Sequence, residues 1–246
     1  MNETLVQLHA RKSVRAYLDK PVVPEEKRAI LEAACAAPTA GNQQLYTILD
    51  ITDRAVKATL ADTCDHQPFI AQAPLVLIFC ADCQKWYDAY QEGGCQPREP
   101  GPGDLLLAFS DANIAAQNAV TAAWSLGIGS CYIGDILERC ETHRALLGLP
   151  EYVVPAAMVV FGYPTDQQKV REKPRRRAME HIVHENTYRR MDGAELEAML
   201  ADHAGQRSYT DWLQAFCQRK YNSDFSREMS RSVAEYLKRF LPEQGV

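Results

Sequence analysis

The sequence predicts an α/β or α+β domain built around one main sheet, and three segments carry that reading. A continuous apolar run at 74–80 has the length of a strand and the composition of one buried on both faces. Residues 45–52 alternate, with Leu45, Thr47, Leu49 and Ile51 on one face, as a strand beside a core does. Residues 104–126 are apolar nearly all round (Leu106, Phe109, Ile114, Ala115, Ala119, Ala122, Ala123), which marks a central helix instead of a peripheral one.

The remaining elements follow in order. Pro24-Glu25-Glu26 opens a helix, since proline tolerates the first turn and carboxylates suit the positive end. Ile30, Leu31, Ala33 and Ala34 give it a buried face, and Pro38 ends it. Residues 84–103 are irregular, with Gly93-Gly94 and several prolines as turn chemistry. Asp104 caps the central helix, and Gly127 and Gly129 end it. Strands at 130–134 and 155–163 flank a helix at 138–147. Beyond Pro164 the chain becomes basic at 169–177 and then helical and polar. Met229, Val233, Leu237 and Phe240 recur at helical spacing, a sticky stripe that must pack on this subunit or another. The expected division is 1–165 as a core and 166–246 as an extension.

The chain has 246 residues, 46 % apolar and 24 % charged, enough to bury a full core without metals or disulfides. A net charge of −5 argues against nucleic acid as the main partner but leaves room for a local basic pocket holding a small anion. The longest apolar stretch, 105–133, carries Asp111, Asn113, Gln117 and Asn118, so no membrane span is expected. Residues 1–15 lack the apolar centre of a secretory leader. Eight scattered cysteines predict reduced thiols and a cytoplasmic protein.

Three segments have the makings of a ligand site. Arg11-Lys12-Ser13-Val14-Arg15 gathers two guanidiniums, an ammonium and a hydroxyl, and arginine forks match phosphate oxygens bidentately. A solvated basic turn has the same composition. Lys173-Pro174-Arg175 sends alternate side chains to one side when extended, as a phosphate clamp requires; a solvated charge run or a nucleic-acid patch are its other readings. Pro38-Thr39-Ala40-Gly41-Asn42-Gln43 lets a flat ligand approach the backbone, or is an ordinary helix-to-strand turn. Other motifs fall short. The glycines of 127–134 follow a helix instead of opening one, so they read as places of close backbone approach, not a dinucleotide fingerprint. Cys80-Ala81-Asp82-Cys83 follows a strand as a redox dithiol would, yet Cys80 continues a buried run. His181, His184 and Glu185 lack the HExxH order, and no metal site is expected.

Taken in order, these pieces resemble the FMN-dependent nitroreductase superfamily. Arg11-Lys12-Ser13-Val14-Arg15 is similar to its phosphate motif and Pro38-Thr39-Ala40-Gly41-Asn42 to its flavin-edge loop. Asp111-Ala112, Ala115-Ala116-Gln117-Asn118 and residues 126–134 resemble its central helix and following strand. Leu147-Gly148-Leu149-Pro150 and Phe161-Gly162-Tyr163-Pro164 resemble the next segment. Lys173-Pro174-Arg175 and Val183-His184-Glu185-Asn186-Thr187-Tyr188 point to the oxygen-insensitive NADPH nitroreductases and flavin reductases with a long C-terminal extension.

The resemblance implies an α+β, three-layer sandwich: a central mixed, mainly antiparallel sheet flanked by helices, plus a helical C-terminal extension. It implies an intertwined homodimer with FMN at the interface, which would account for the apolar stripe. Arg11, Ser13, Lys173 and Arg175 would hold the FMN phosphate, with Lys12 in the same set and Arg15 near the phosphate or the pyrimidine edge. Thr39, Ala40, Asn42 and Gln67 would line the isoalloxazine, and backbone N–H groups of Tyr132, Ile133 and Gly134 would face its N5/O4 edge. The implied activity is hydride transfer from NADPH or NADH through flavin N5 to nitroaromatics, quinones or free flavin, with no obligatory protein acid or base. Arg207 is the nearest match for an NADPH 2′-phosphate ligand. The chain departs from the subgroup at Gly41-Asn42-Gln43, at Asp135 where a second glycine is usual, and in a short stretch at 191–212, which with 84–103 would shape the acceptor cleft. An FMN storage or sensor protein with little turnover shares the binding site, and a flavin-free protein using Cys80 and Cys83 is a third reading. Flavin content and steady-state NAD(P)H consumption separate the three.

Overall fold

A computed structural model describes residues 1–241. These residues form two compact units: Met1–Arg171 together with Met229 to Leu241, and Glu172–Glu228. The first unit thus ends its main segment at Arg171 and includes residues from Met229 to the end of the described chain.

Its sheet contains β1 (Tyr46–Asp50), β2 (Leu75–Asp82), β3 (Gly129–Ile133) and β4 (Val153–Gly162) in the order β1-β2-β4-β3. Every neighbouring pair is antiparallel. Among the described residues the parallel pairing is an isolated bridge, Ser13 to Ser130. All eight residues of β2 are buried, as an apolar run between two helical layers requires. Leu75, Leu77, Phe79 and Ala81 face a core shared with α2 (Pro24–Cys35) and α6 (Pro102–Ser125). Val76, Ile78 and Cys80 face a second core with α3 (Arg54–Thr63) and α4 (Pro68–Gln72). This is the expected α+β sandwich. The β2–β4 register shifts between Phe79 and Cys80, opposite Pro155, so the proline sits at a bulge where its missing N–H does least harm.

α6 is the central helix. Its buried face is mostly alanine (Ala108, Ala112, Ala115, Ala116, Ala119, Ala123), which lets sheet and α2 approach closely. It starts earlier than expected: Gly101 is the N-cap, and Asp104 closes a capping box by accepting the Gly101 N–H at 2.8 Å. Residues 84–103 are less irregular than expected, because α5 (Gln84–Glu92) occupies their first half. No helix among the described residues is long and apolar enough to cross a membrane.

The C-terminal end of the stripe on the last helix, α11 (Asp224–Leu237), packs within the chain. Tyr236 and Phe240 enter the α6-side core with Leu237 against them. Ser232 Oγ donates to the Leu137 carbonyl at 2.6 Å and accepts the Cys140 N–H at 2.8 Å, pinning this helix to α7 (Cys140–Leu147). The second unit holds α9 (Gly193–Leu200) and α10 (Tyr209–Lys220), N-capped by Asp192 and Ser208, with no buried residue on either helix. A short helix, α8 (Asp166–Val170), ends the first unit's main segment.

On the α3 side His143 is fully buried, with Nδ1 3.0 Å from the Ile136 carbonyl and Nε2 2.8 Å from Thr63 Oγ1. A neutral ring satisfies both contacts, donating to the carbonyl and accepting the hydroxyl proton. Burial holds its pKa below the ordinary 6.5. The unfolded chain therefore takes up the proton first, so the ring's contribution is complete above about pH 6.5 and declines as pH falls below it. In His143→Gln the slope of Tm against pH between about pH 5 and 6.5 is expected to flatten; an unchanged slope contradicts this account.

Candidate functional site

The site is built on the segment that crosses the ends of β3 and β4. The Val14 N–H donates to the Ser130 carbonyl at 2.9 Å and the Leu18 N–H to the Tyr163 carbonyl at 2.8 Å. Two glycines allow this approach: a Cβ on Gly129 would lie 2.5 Å from Val14 Cγ2, and one on Gly162 would lie 2.5 Å from Tyr17 Cδ1. Val14 is fully buried, so extended alternation turns Arg11, Ser13 and Arg15 to the other side. All three act on one sulfur. Burial pushes the Cys131 thiol up, while Arg15, the Ser13 hydroxyl and Arg11 draw it back. Arg11 Nη1 is buried with no hydrogen-bond partner. A buried guanidinium N–H left unpaired costs about 1–3 kcal/mol or more, which is the signature of a donor shaped for an anion.

Lys12 is engaged by the backbone in this structure. Its ammonium donates to the carbonyls of Lys169, at 2.6 Å, and Arg171. It caps the C-terminal end of α8, a placement the helix dipole favours, and two of its three N–H bonds are spent there.

Thr39, Ala40 and Asn42 lie on a turn held by one buried carboxylate. Asp111, in mid-α6, accepts the Thr39 hydroxyl, the Ala40 N–H at 3.1 Å and the Leu45 N–H at 3.2 Å. The Thr39 hydroxyl in turn accepts the Gln44 N–H at 2.7 Å. From behind, Trp86 Nε1 donates to the Gln43 carbonyl at 2.8 Å and Lys85 Nζ to the Tyr46 carbonyl at 2.6 Å. Gly41, Asn42 and Gln44 all have positive φ, at 57°, 57° and 50°. Glycine and asparagine tolerate that region; glutamine there is strained.

Gln67 and Asp135 meet each other. Gln67 Nε2 donates to Asp135 Oδ2 at 3.0 Å and to the Cys64 carbonyl at 2.9 Å. The amide oxygen remains as the acceptor Gln67 can present, and the carboxylate of Asp135 is tied to Gln67. Tyr132 and Ile133 belong to the edge strand β3, with Ile133 packed in the α3-side core. A Cβ on Gly134 would meet nothing within 4 Å, so the backbone here borders open space. Burial pushes the Tyr132 phenol up to about 12, with Arg11 as the opposing influence.

In the second unit, Lys173 and Arg175 lie on the irregular stretch before Met179, and Arg175 pairs with Asp202 at 3.4 Å, both exposed. Arg207 follows the turn after α9 and is exposed. The cysteine pair does not form a dithiol site. Cys80 packs in the α3-side core and Cys83 in the α6-side core, and burial pushes both thiols up to about 12. Among the described residues, no three His, Cys, Asp or Glu side chains gather around a common point that would suit a metal.

An α+β sandwich with a basic strand-like segment at its edge and a strained, carboxylate-tethered turn defines a cofactor-binding scaffold. Residues 8–163 match the model of the nitroreductase family, and the chain belongs to that family. It is 32 % identical over 241 residues to the FMN reductase (NAD(P)H) of Bacillus subtilis, covering 97 % of this chain and 92 % of that protein. It is 36 % identical over 207 residues to the oxygen-insensitive NADPH nitroreductase of Salmonella typhimurium, covering 84 % and 81 %. Among solved structures it is similar to the NADPH:FMN oxidoreductase of Vibrio harveyi complexed with NAD+, with TM-score 0.77, 25 % identity, and coverage of 99 % and 100 %.

Sequence reading missed the work of Asp111, although an aspartate inside an apolar helix was the signal for it. In Asp111→Ala the donors of Thr39, Ala40 and Leu45 lose their acceptor, and the expected destabilisation is about 2–4 kcal/mol, read by denaturant unfolding. A loss under about 0.5 kcal/mol would show that the tether does not hold the turn.

Proposed function

We propose that this enzyme, an FMN-dependent NAD(P)H oxidoreductase, binds FMN through Arg11, Ser13 and the turn at Thr39, Ala40 and Asn42, and reduces nitroaromatics, quinones or free flavin by alternate reaction with reductant and acceptor. The single observation that carries the reading is the buried, unpartnered Arg11 Nη1 beside the Ser13 hydroxyl. That donor set suits a phosphate monoester, because charge-assisted bonds are the strong ones and a buried guanidinium needs an anion. The open space at Gly134 suits a flat ring against backbone N–H groups. Bound FMN supplies the redox chemistry, taking hydride from NAD(P)H and passing electrons to the acceptor.

The chain's own residues then have three tasks. Arg11 and Ser13 bind the phosphate, and Lys12, Lys173 and Arg175 are assigned to it on the family resemblance, Lys12 through the one N–H its two carbonyl bonds leave over. Arg15 supplies positive charge where negative charge develops on reduction. Thr39, Ala40 and Asn42, with the oxygen of Gln67 and the N–H groups of Tyr132, Ile133 and Gly134, orient the ring. Either nicotinamide serves as reductant, with Arg207 proposed for a 2′-phosphate.

A homodimer completes the reading. Exposed Leu5, Val6 and Leu8 on α1 (Glu3–Ala10), which packs beside α6, and exposed Leu106 and Ile114 on α6 form an apolar surface of the kind that subunits cover. Sedimentation is expected to give twice the 27.6 kDa chain mass; a monomer at micromolar concentration removes this part. Free thiols at all eight cysteines support the cytoplasmic assignment.

The purified protein is expected to be yellow, and to oxidise NADPH or NADH continuously when a nitroaromatic or quinone is added. Arg11→Ala is expected to weaken FMN binding at least tenfold, about 1.4 kcal/mol, and Arg175→Ala to weaken it in the same direction. Unchanged FMN affinity in both variants removes the phosphate site; flavin binding without turnover favours a storage or sensing protein.

A further inference from the structure

Gln67 and Asp135 come from segments whose backbones are fixed independently of the bond between them. Fully buried Cys64 caps the end of α3, and the chain reverses through Asp65 and His66, both with positive φ, at 60° and 50°. The Gln67 N–H then donates to the Ala61 carbonyl at 2.8 Å, and the Gln67 carbonyl accepts the Ile70 N–H at 3.1 Å as α4 begins. Asp135 stands in the single turn Gly134–Leu137. Its carbonyl accepts the Glu138 N–H at 3.0 Å, and fully buried Ile136 anchors the turn beside it. Neither backbone is free to carry its side chain elsewhere.

The contact decides which end of the Gln67 amide faces outward. The amide nitrogen carries two N–H donors and the oxygen only accepts. Both donors are taken, by the Cys64 carbonyl at 2.9 Å and by Asp135 Oδ2 at 3.0 Å. Turned over, the amide would set its oxygen against that carbonyl and that carboxylate together, with no proton among the three. Half-buried groups left in such a state lose more than a mobile surface amide would. Gln67 is therefore held as an acceptor on its outward side. The Cys64 carbonyl alone would satisfy one N–H and leave the second without a partner, so the preference for this orientation depends on Asp135.

We propose that Asp135 is a positioning residue for the flavin ring: it locks Gln67 with the amide oxygen outward, and that oxygen accepts the N3–H of the bound isoalloxazine. The proposal rests on the assignment of Gln67 to the ring in the FMN reading above. In its oxidised form the isoalloxazine has one N–H donor, at N3; N1, N5 and both carbonyl oxygens are acceptors. An amide confined to accepting can pair with N3 alone, whereas one free to turn over pairs equally well with the neighbouring carbonyls. A site built to hydrogen-bond an N–H rejects the analogue that lacks it. The carboxylate itself does not need to touch the ring, because its effect is carried by the amide.

The probe is 3-methyl-FMN, in which a methyl group replaces the N3 proton. Holoprotein is exchanged to equilibrium against an equimolar excess of FMN and 3-methyl-FMN, and the ratio retained is read by mass spectrometry of the released flavin. Wild type is expected to retain FMN over the analogue by about tenfold or more. Asp135→Leu is expected to reduce that preference by about threefold or more, and Asp135→Gly, which asks for no new packing, to reduce it in the same direction. In a Gln67→Leu background, Asp135→Leu is expected to leave the ratio unchanged, because the carboxylate acts through the amide. A role in folding alone would weaken both flavins alike and leave the ratio where it was. No preference in wild type, a ratio unchanged in both Asp135 variants, or a reduction equal with and without Gln67 overturns the proposal. A protein that retains no flavin overturns the FMN reading and this proposal with it, and is distinguished by its lack of colour from a yellow protein with an unchanged ratio.

Discussion

The arrangement of the site depends on one carboxylate buried in the middle of the longest helix. Asp111 sits 3 % exposed between sheet and α2, a place where an unpaired charge would be prohibitive. It is tolerated because two backbone N–H groups and a hydroxyl converge on it from the turn at 39–45. The dependence runs both ways. The helix gives the turn its acceptor, and the turn makes the buried charge affordable. A segment with this many left-handed residues has few other ways to remain in one conformation.

A second constraint is steric. The segment bearing Arg11, Ser13 and Arg15 gains position from what its neighbours lack. With any side chain at Gly129, Val14 could not enter the core, and the alternation that turns the three polar residues outward would lose its anchor. Packing thus fixes where the donors point. Electrostatics then gives them a purpose, since Arg11 has a buried N–H with no partner inside the protein. Lys12, one residue along, shows the same alternation in reverse, pointing to α8 and serving a helix end.

Much of this was legible in the sequence where periodicity and burial agree. The apolar run of β2, the alanine face of α6 and the proline start of α2 each record a packing demand in residue type alone. The family resemblance carried the mainly antiparallel sandwich. What escaped were relations between distant residues. Nothing near Gln67 announces Asp135 as its partner, and nothing near Cys80 and Cys83 says that the sheet separates them. The stripe of Met229, Val233, Leu237 and Phe240 was visible, but the packing of its end, Leu237 and Phe240, on this chain with Tyr236 and Ser232 beside them was not. Residues 84–92 read as irregular because polar and aromatic side chains share a helix with no buried residue.

Rigidity at the turn comes from opposition. Asp111 draws its N–H groups from one side, while Trp86 and Lys85 draw its carbonyls at Gln43 and Tyr46 from the other. Backbone groups restrained at both donor and acceptor cannot relax by rotating a peptide plane, so strain at Gln44 persists instead of dissipating. The same opposition makes the turn a shared wall. Its residues 39–42 are assigned to the flavin side, and Gln43 and Leu45 line a cavity of about 440 Å³ together with Trp86. Two surfaces on one over-determined segment do not move independently.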